Sequence, residues 1–135
     1  LYIVFAVISF ILALILSCFY FIYLNDYILS VAGFVFLIGF LSPMITAHLY
    51  KIVPFLVWFH RFSSLVGKQK VPMLADMVPL KSSNFGFSFY LIGFILSLIA
   101  FSLNSDILFK SAVSFLFIGT LFIVKDVFYI INFKG

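Results

Sequence analysis

Glutamate is absent from this 135-residue chain, and arginine, tryptophan and cysteine occur once each. The acidic residues are four aspartates, Asp26, Asp76, Asp106 and Asp126, scattered singly. No two carboxylates are therefore placed near each other in sequence for paired acid–base chemistry. The lone Cys18 excludes an internal disulfide and a multi-cysteine metal cage. Set in an apolar run, it is expected to be a small core residue. The chain also lacks a glycine-rich phosphate loop, a Gly-x-Ser-x-Gly elbow and a His-Glu-x-x-His pair, which removes the commonest nucleotide, esterase and zinc-protease signatures. It has no low-complexity tract and no repeat of about 20 to 50 residues.

Charge is scarce in general. Only 9% of residues are charged and 66% are hydrophobic, where a soluble domain is about a quarter charged and about half apolar. A soluble chain of this length still exposes much of its surface and could not hide so much apolar area. The solvent for most of the chain is expected to be lipid. The net charge of +4 is then read as membrane topology rather than as a nucleic-acid footprint, because the basic and aromatic residues form no solvated binding face. No nucleic-acid partner is expected.

Four apolar segments have spanning length, which is about 20 residues. They cover about residues 1–24, 27–50, 85–104 and 107–132. The fold class is accordingly all-α: an integral membrane protein with four transmembrane helices in two hairpins, forming one helical domain. Pro43 inside the second segment predicts a kink there, tolerated where a neighbouring helix satisfies the freed carbonyl. Gly86 and Gly93, with Ser97 and Ala100, predict a small-residue face for close helix contact. The first segment has no basic leader and no small-residue cleavage site, so it reads as a span rather than a signal peptide. Because the chain opens on Leu1, a processed or incomplete protein is expected, with part of the site elsewhere.

The polar region 51–84 holds Lys51, Arg61, Lys68, Lys70 and Lys81 against Asp76 alone, whereas the turns Asn25–Asp26 and Asn104–Asp106 carry no basic residue. Basic loops stay inside. The long loop and both termini are thus expected to be cytoplasmic, with Lys134 in agreement, in a bacterial inner membrane. Within the loop, Val71–Pro72 and Val78–Pro79 are expected to be extended, with at most a short helix at "MLADM" between them.

One stretch concentrates the unusual side chains: "HLYKIVPFLVWFHRF", His48 to Phe62, with both histidines, the arginine and the tryptophan. Two readings stand. In one, His48 is an intramembrane imidazole and so a ligand candidate, with Arg61 and Lys51 contacting an anionic group such as a propionate. In the other, the stretch is an interfacial helix in which Lys51, Trp58, His60 and Arg61 are anchors at headgroup level. On one continuous helix the two histidines would lie about 18 Å apart, too far to share an ion. Lys125 and Asp126 pose a further alternative: an intramembrane charge pair marking an ion route, or a pair at the surface, which is favoured. Adjacent residues point about 100° apart on a helix and do not make an ideal ion pair.

The segment "HLYKIVPFLVWFHRFSSLVGKQKVPMLADMVP", His48 to Pro79, resembles a region near the C-terminus of bacterial polytopic membrane proteins that are similar to the haem-binding catalytic subunit of haem-copper oxidases. The resemblance covers about a quarter of the chain, and the flanking spans match only in hydropathy. It implies a membrane subunit of a respiratory or redox assembly, with His48 as a haem or metal ligand. The oxidase pattern of two histidines separated by one residue is absent, as is the copper-ligand cluster. A second haem ligand would come from a partner or a missing segment. The alternative is a non-catalytic membrane subunit held by the lipid bilayer and by partner helices. A third reading, transport, rests on Pro43 and on Lys125 and Asp126.

Overall fold

The structure, a computed structural model, describes residues 1–133; Lys134, expected on the cytoplasmic side, lies outside the described residues. Those residues contain helices and turns and no strand. Five α-helices follow one another: α1 (Tyr2–Tyr23), α2 (Asp26–Phe34), α3 (Ser42–Phe62), α4 (Leu80–Leu103) and α5 (Asp106–Ile131). A π-helical segment, Val35–Leu41, joins α2 to α3 without a break. Four helices are then long and apolar enough to cross a membrane: Tyr2–Tyr23, Asp26–Leu65, Leu80–Leu103 and Asp106–Ile131.

The π segment is the chain's response to Pro43. In i→i−5 register the Ser42 N–H bonds the Leu37 carbonyl, and the next donor, for the Ile38 carbonyl, would be the nitrogen of Pro43, which carries no hydrogen. Tyr90 on α4 supplies the missing donor, its hydroxyl lying 2.6 Å from the Ile38 carbonyl oxygen. The freed carbonyl is thus satisfied by a neighbouring helix, the compensation expected for a proline inside an apolar helix. Widening by one residue also brings Gly39 against α1 and α4. A Cβ on Gly39 would stand 2.8 Å from Ser9 Cβ and 2.9 Å from the Phe94 ring.

α4 and α5 make the tightest contact, and their buried positions show why. On α5 these are Ala112, Leu116, Gly119, Ile123, Asp126 and Ile130; on α4 they include Gly86, Tyr90, Gly93, Ser97 and Ala100. Both series step alternately by four and three, the 3.5-residue seam of interlocked helices. The expected small-residue face is real: a Cβ on Gly93 would lie 2.7 Å from the Leu116 backbone nitrogen. The small residues let the two backbones approach closely, the packing that pairs of apolar spanning helices use.

Both short turns use the same device. Leu24 and Asn104 end α1 and α4 in the left-handed region, at φ 48° and φ 50°. The next helix starts two residues later, at Asp26 and Asp106, and the Asn25 side chain before α2 accepts from the Tyr27 N–H at 2.9 Å. Large apolar side chains such as Phe21, Ile107 and Phe117 point outward. Most serine hydroxyls on the helices, from Ser17 to Ser114, donate to the carbonyl four residues earlier, which leaves few free donors on the surface.

Three details differ from the expected boundaries, the first being that α4 starts at Leu80 rather than at Phe85, so residues 80–84 are helical rather than loop. The helix holding the second span does not end at Tyr50 but continues to Phe62, so residues 51–62 are helical rather than loop. Cys18 is exposed on the outer face of α1 rather than in the core. The remainder of the loop folds back on the helices: Leu74–Met77 is a single 3₁₀ turn, and Met77 is fully buried with Phe62 and Ile130.

Candidate functional site

The stretch His48–Phe62 forms most of α3, and its two histidines behave alike. His48 Nδ1 donates to the Met44 carbonyl at 2.7 Å, and His60 Nδ1 donates to the Leu56 carbonyl at 2.8 Å. Each imidazole hydrogen thus closes on its own helix, four residues back, and both rings are exposed. The helix is unbroken through the buried Pro54, so the separation of about 18 Å set by the helical rise stands.

The other candidate anchors of this stretch turn to the protein itself. Trp58 Nε1 donates to the Pro72 carbonyl at 2.9 Å, pinning the loop across α3. Arg61 donates to the Phe133 carbonyl at 2.7 Å, tying α3 to the end of α5. Lys51 lines a crevice of about 260 Å³, together with Tyr2, Ala47, Tyr50, Ser83 and Asn84 among others.

The polar centre of the bundle lies beside that crevice. Asp126 has no exposed surface at all, whereas the side chain of Lys125 is 60% exposed. The Tyr50 hydroxyl donates to Asp126 Oδ2 at 2.7 Å. Asp126 Oδ1 has no hydrogen-bond partner; its nearest cation is Lys125 Nζ at 3.8 Å. Lys125 Nζ is itself bonded to Ser82 Oγ at 2.7 Å and sits 5.0 Å from the centre of the Phe122 ring. The Tyr2 ring stacks on Tyr50 at 5.9 Å, and the Tyr2 hydroxyl lies 3.4 Å from the Ser83 carbonyl. Four helices thus meet at one buried carboxylate, level with the start of α1.

The chain has no match. Comparison with protein-family models, with curated proteins and with solved structures finds nothing similar, so the chemistry of the site rests on its own residues. Among the described residues, no three His, Cys, Asp or Glu side chains converge to hold a metal ion.

The residues around His48 do not by themselves build the haem pocket implied by the resemblance. A histidine that ligates iron commonly donates its second N–H to a carbonyl, and His48 does so. His60 makes the same bond, which marks it as a habit of this helix rather than a feature of one site. His48 does not line the crevice, and Arg61, the expected anionic-group contact, is drawn to the end of α5.

Of the sequence candidates, Lys51 lines the crevice, Asp126 is linked to it through Tyr50, and Lys125 touches Asp126, while His48, Trp58, His60 and Arg61 do not join them. Asp126 is buried laterally among the helices, while its neighbour Lys125 is largely exposed. The Lys125–Asp126 contact, not expected between helix neighbours, forms at 3.8 Å, with the same ammonium bonded to Ser82 of α4. Tyr50 and Tyr2 are site residues that sequence reasoning misses. The available signal is the alternating spacing from Ala112 to Ile130, which places Asp126 on the seam.

Proposed function

We propose that this chain is a non-catalytic membrane subunit: a four-span helical bundle, arranged as two hairpins, that packs in lipid against partner helices or the rest of a longer protein. The observation that carries this reading is the fate of the stretch His48–Phe62. Both imidazoles are satisfied by their own helix, and Trp58 and Arg61 brace the loop and the end of α5. These side chains build a platform where the second helix leaves the bilayer.

Dimensions support the platform. The continuous helix Asp26–Leu65 has 40 residues and is about 60 Å long, twice the hydrocarbon thickness of about 30 Å. Its second half therefore extends beyond the spans or lies along the membrane face, with Lys51, His60 and Arg61 in the aqueous or headgroup layer. By the basic-loop rule, that face and both termini are cytoplasmic, and the bilayer is a bacterial inner membrane.

A respiratory, haem-linked form of the same assembly would place the haem on the outer face of α3, with its walls and second ligand supplied by a partner. The test is the visible spectrum of the reduced protein, purified in its native membrane assembly. The structural-subunit reading predicts that any Soret band is unchanged in His48→Ala. A band that disappears in that variant while the assembly stays intact would overturn it in favour of haem ligation.

A further inference from the structure

The seam position of Asp126 has no structural need for a carboxylate. The other buried α5 positions are Ala, Leu, Gly and Ile, and an apolar residue there would pack without the cost of removing a charge from water. The carboxylate is half satisfied: Oδ2 accepts from Tyr50, and Oδ1 has no hydrogen-bond donor. Lys125 does not complete it. Its ammonium is 3.8 Å away on a largely exposed side chain and is engaged by Ser82. A buried charge left without its full set of partners is expensive, and binding a proton removes that charge.

We propose that Asp126 is a proton-binding site, served from the crevice through Tyr50. Tyr50 both lines the crevice and touches the carboxylate, and a crevice of about 260 Å³ has room for several waters at about 30 Å³ each. A hydrated proton there is taken up by the Tyr50 oxygen while the phenol's own proton crosses to Asp126 Oδ2. Tyr50 is neutral before and after, the carboxylate becomes a carboxylic acid, and one proton has left the water. The same hydrogen bond then runs in reverse, from Oδ2–H to the Tyr50 oxygen. The groups facing the site and its crevice are Tyr2 from α1, Tyr50 and the charged Lys51 from α3, the neutral hydroxyl of Ser82 and the backbone at Ser83 from α4, and Lys125 from α5. The seam links this event to the contact between α4 and α5, so protonation changes the charge inside the bundle's tightest interface.

Infrared difference spectroscopy of the full chain in lipid vesicles tests it, recorded over an interval of falling pH from mildly alkaline to mildly acidic. The expected result is a carboxylic-acid C=O band that grows as pH falls, shifts in D₂O and is missing in Asp126→Asn. The near-isosteric variant keeps the packing, and the same spectra report its helix content. A carboxylate signature of Asp126 that persists over the whole interval would overturn the proposal and leave a fixed ion pair with Lys125. Tyr50→Phe tests the route: hydrogen–deuterium exchange of the Asp126 band should slow by at least about tenfold, in line with the loss of a proton relay. Unchanged exchange in that variant would eliminate Tyr50 as the conduit.

Discussion

Tyr90 and Pro43 show how one side chain on α4 compensates for a donor missing from another helix. Removing the hydroxyl with Tyr90→Phe leaves the Ile38 carbonyl unsatisfied among apolar neighbours. The expected cost is about 1–3 kcal/mol, read as a lower unfolding midpoint in detergent. Restoring an N–H with Pro43→Ala supplies an alternative donor. In that background Tyr90→Phe should cost less than half as much, and equal costs in the two backgrounds would show that the bond and the proline are unrelated. Proline's effect is legible in the sequence, since the missing donor follows from its ring. The identity of the compensating group is not, because Tyr90 lies 52 positions from Ile38 and only the folded helices bring them together. The same limit hides Tyr50, which is 76 positions from Asp126.

The helices differ in how much room their glycines have, and that sets opposite expectations for one substitution. A Cβ on Gly93 would meet the Ala112 carbonyl oxygen at 2.9 Å and the Leu116 nitrogen at 2.7 Å. Backbone cannot step aside as a side chain can, so Gly93→Ala should destabilise the α4–α5 contact by about 1–3 kcal/mol. Gly33 on α2 has nothing within 4 Å of its Cβ position. There Gly33→Ala should raise stability by about 0.5–1 kcal/mol, the helix-propensity gain. Thermal unfolding of the two variants in the same detergent checks both signs. The turn after α1 offers a third case. Leu24 holds a left-handed conformation at φ 48° that costs a side-chain-bearing residue about 1–2 kcal/mol. Leu24→Gly should therefore raise the unfolding midpoint, whereas Leu24→Ala should not. The seam is legible in the sequence from the spacing of Gly86, Gly93, Ser97 and Ala100. The length of α3 is not: Lys51, Pro54 and Arg61 look like a loop in composition, yet a helix with an exposed face tolerates charge, and a single proline removes only one donor.

The described residues form a bundle whose outward surface is apolar over the four long helices and basic around the loop. That contrast carries the membrane assignment, and it is legible from hydropathy because the bilayer imposes length and composition directly. The site is less legible. Burial of Asp126 depends on the lateral packing of four helices, and the bracing of Trp58 and Arg61 depends on where the loop and the end of α5 return. If the loop is docked as described, Trp58→Ala should loosen it without unfolding the bundle. Limited proteolysis would then cut within residues 63–79 at least about tenfold faster than in the parent protein, as expected for a segment held by few local contacts. An unchanged rate would separate the Trp58–Pro72 bond from loop order.

The most direct check is cysteine accessibility in sealed right-side-out vesicles. In a Cys18→Ser background, single cysteines replace Asn25 and Asn104 in the two turns and Lys68 in the loop, each probed with a membrane-impermeant thiol reagent. Four spans with the basic platform inside predict that Asn25→Cys and Asn104→Cys react from outside, and that Lys68→Cys reacts only after permeabilisation. Reaction of Lys68→Cys from the same side as the turns would contradict the four-span arrangement and, with it, the platform built by His48 to Phe62.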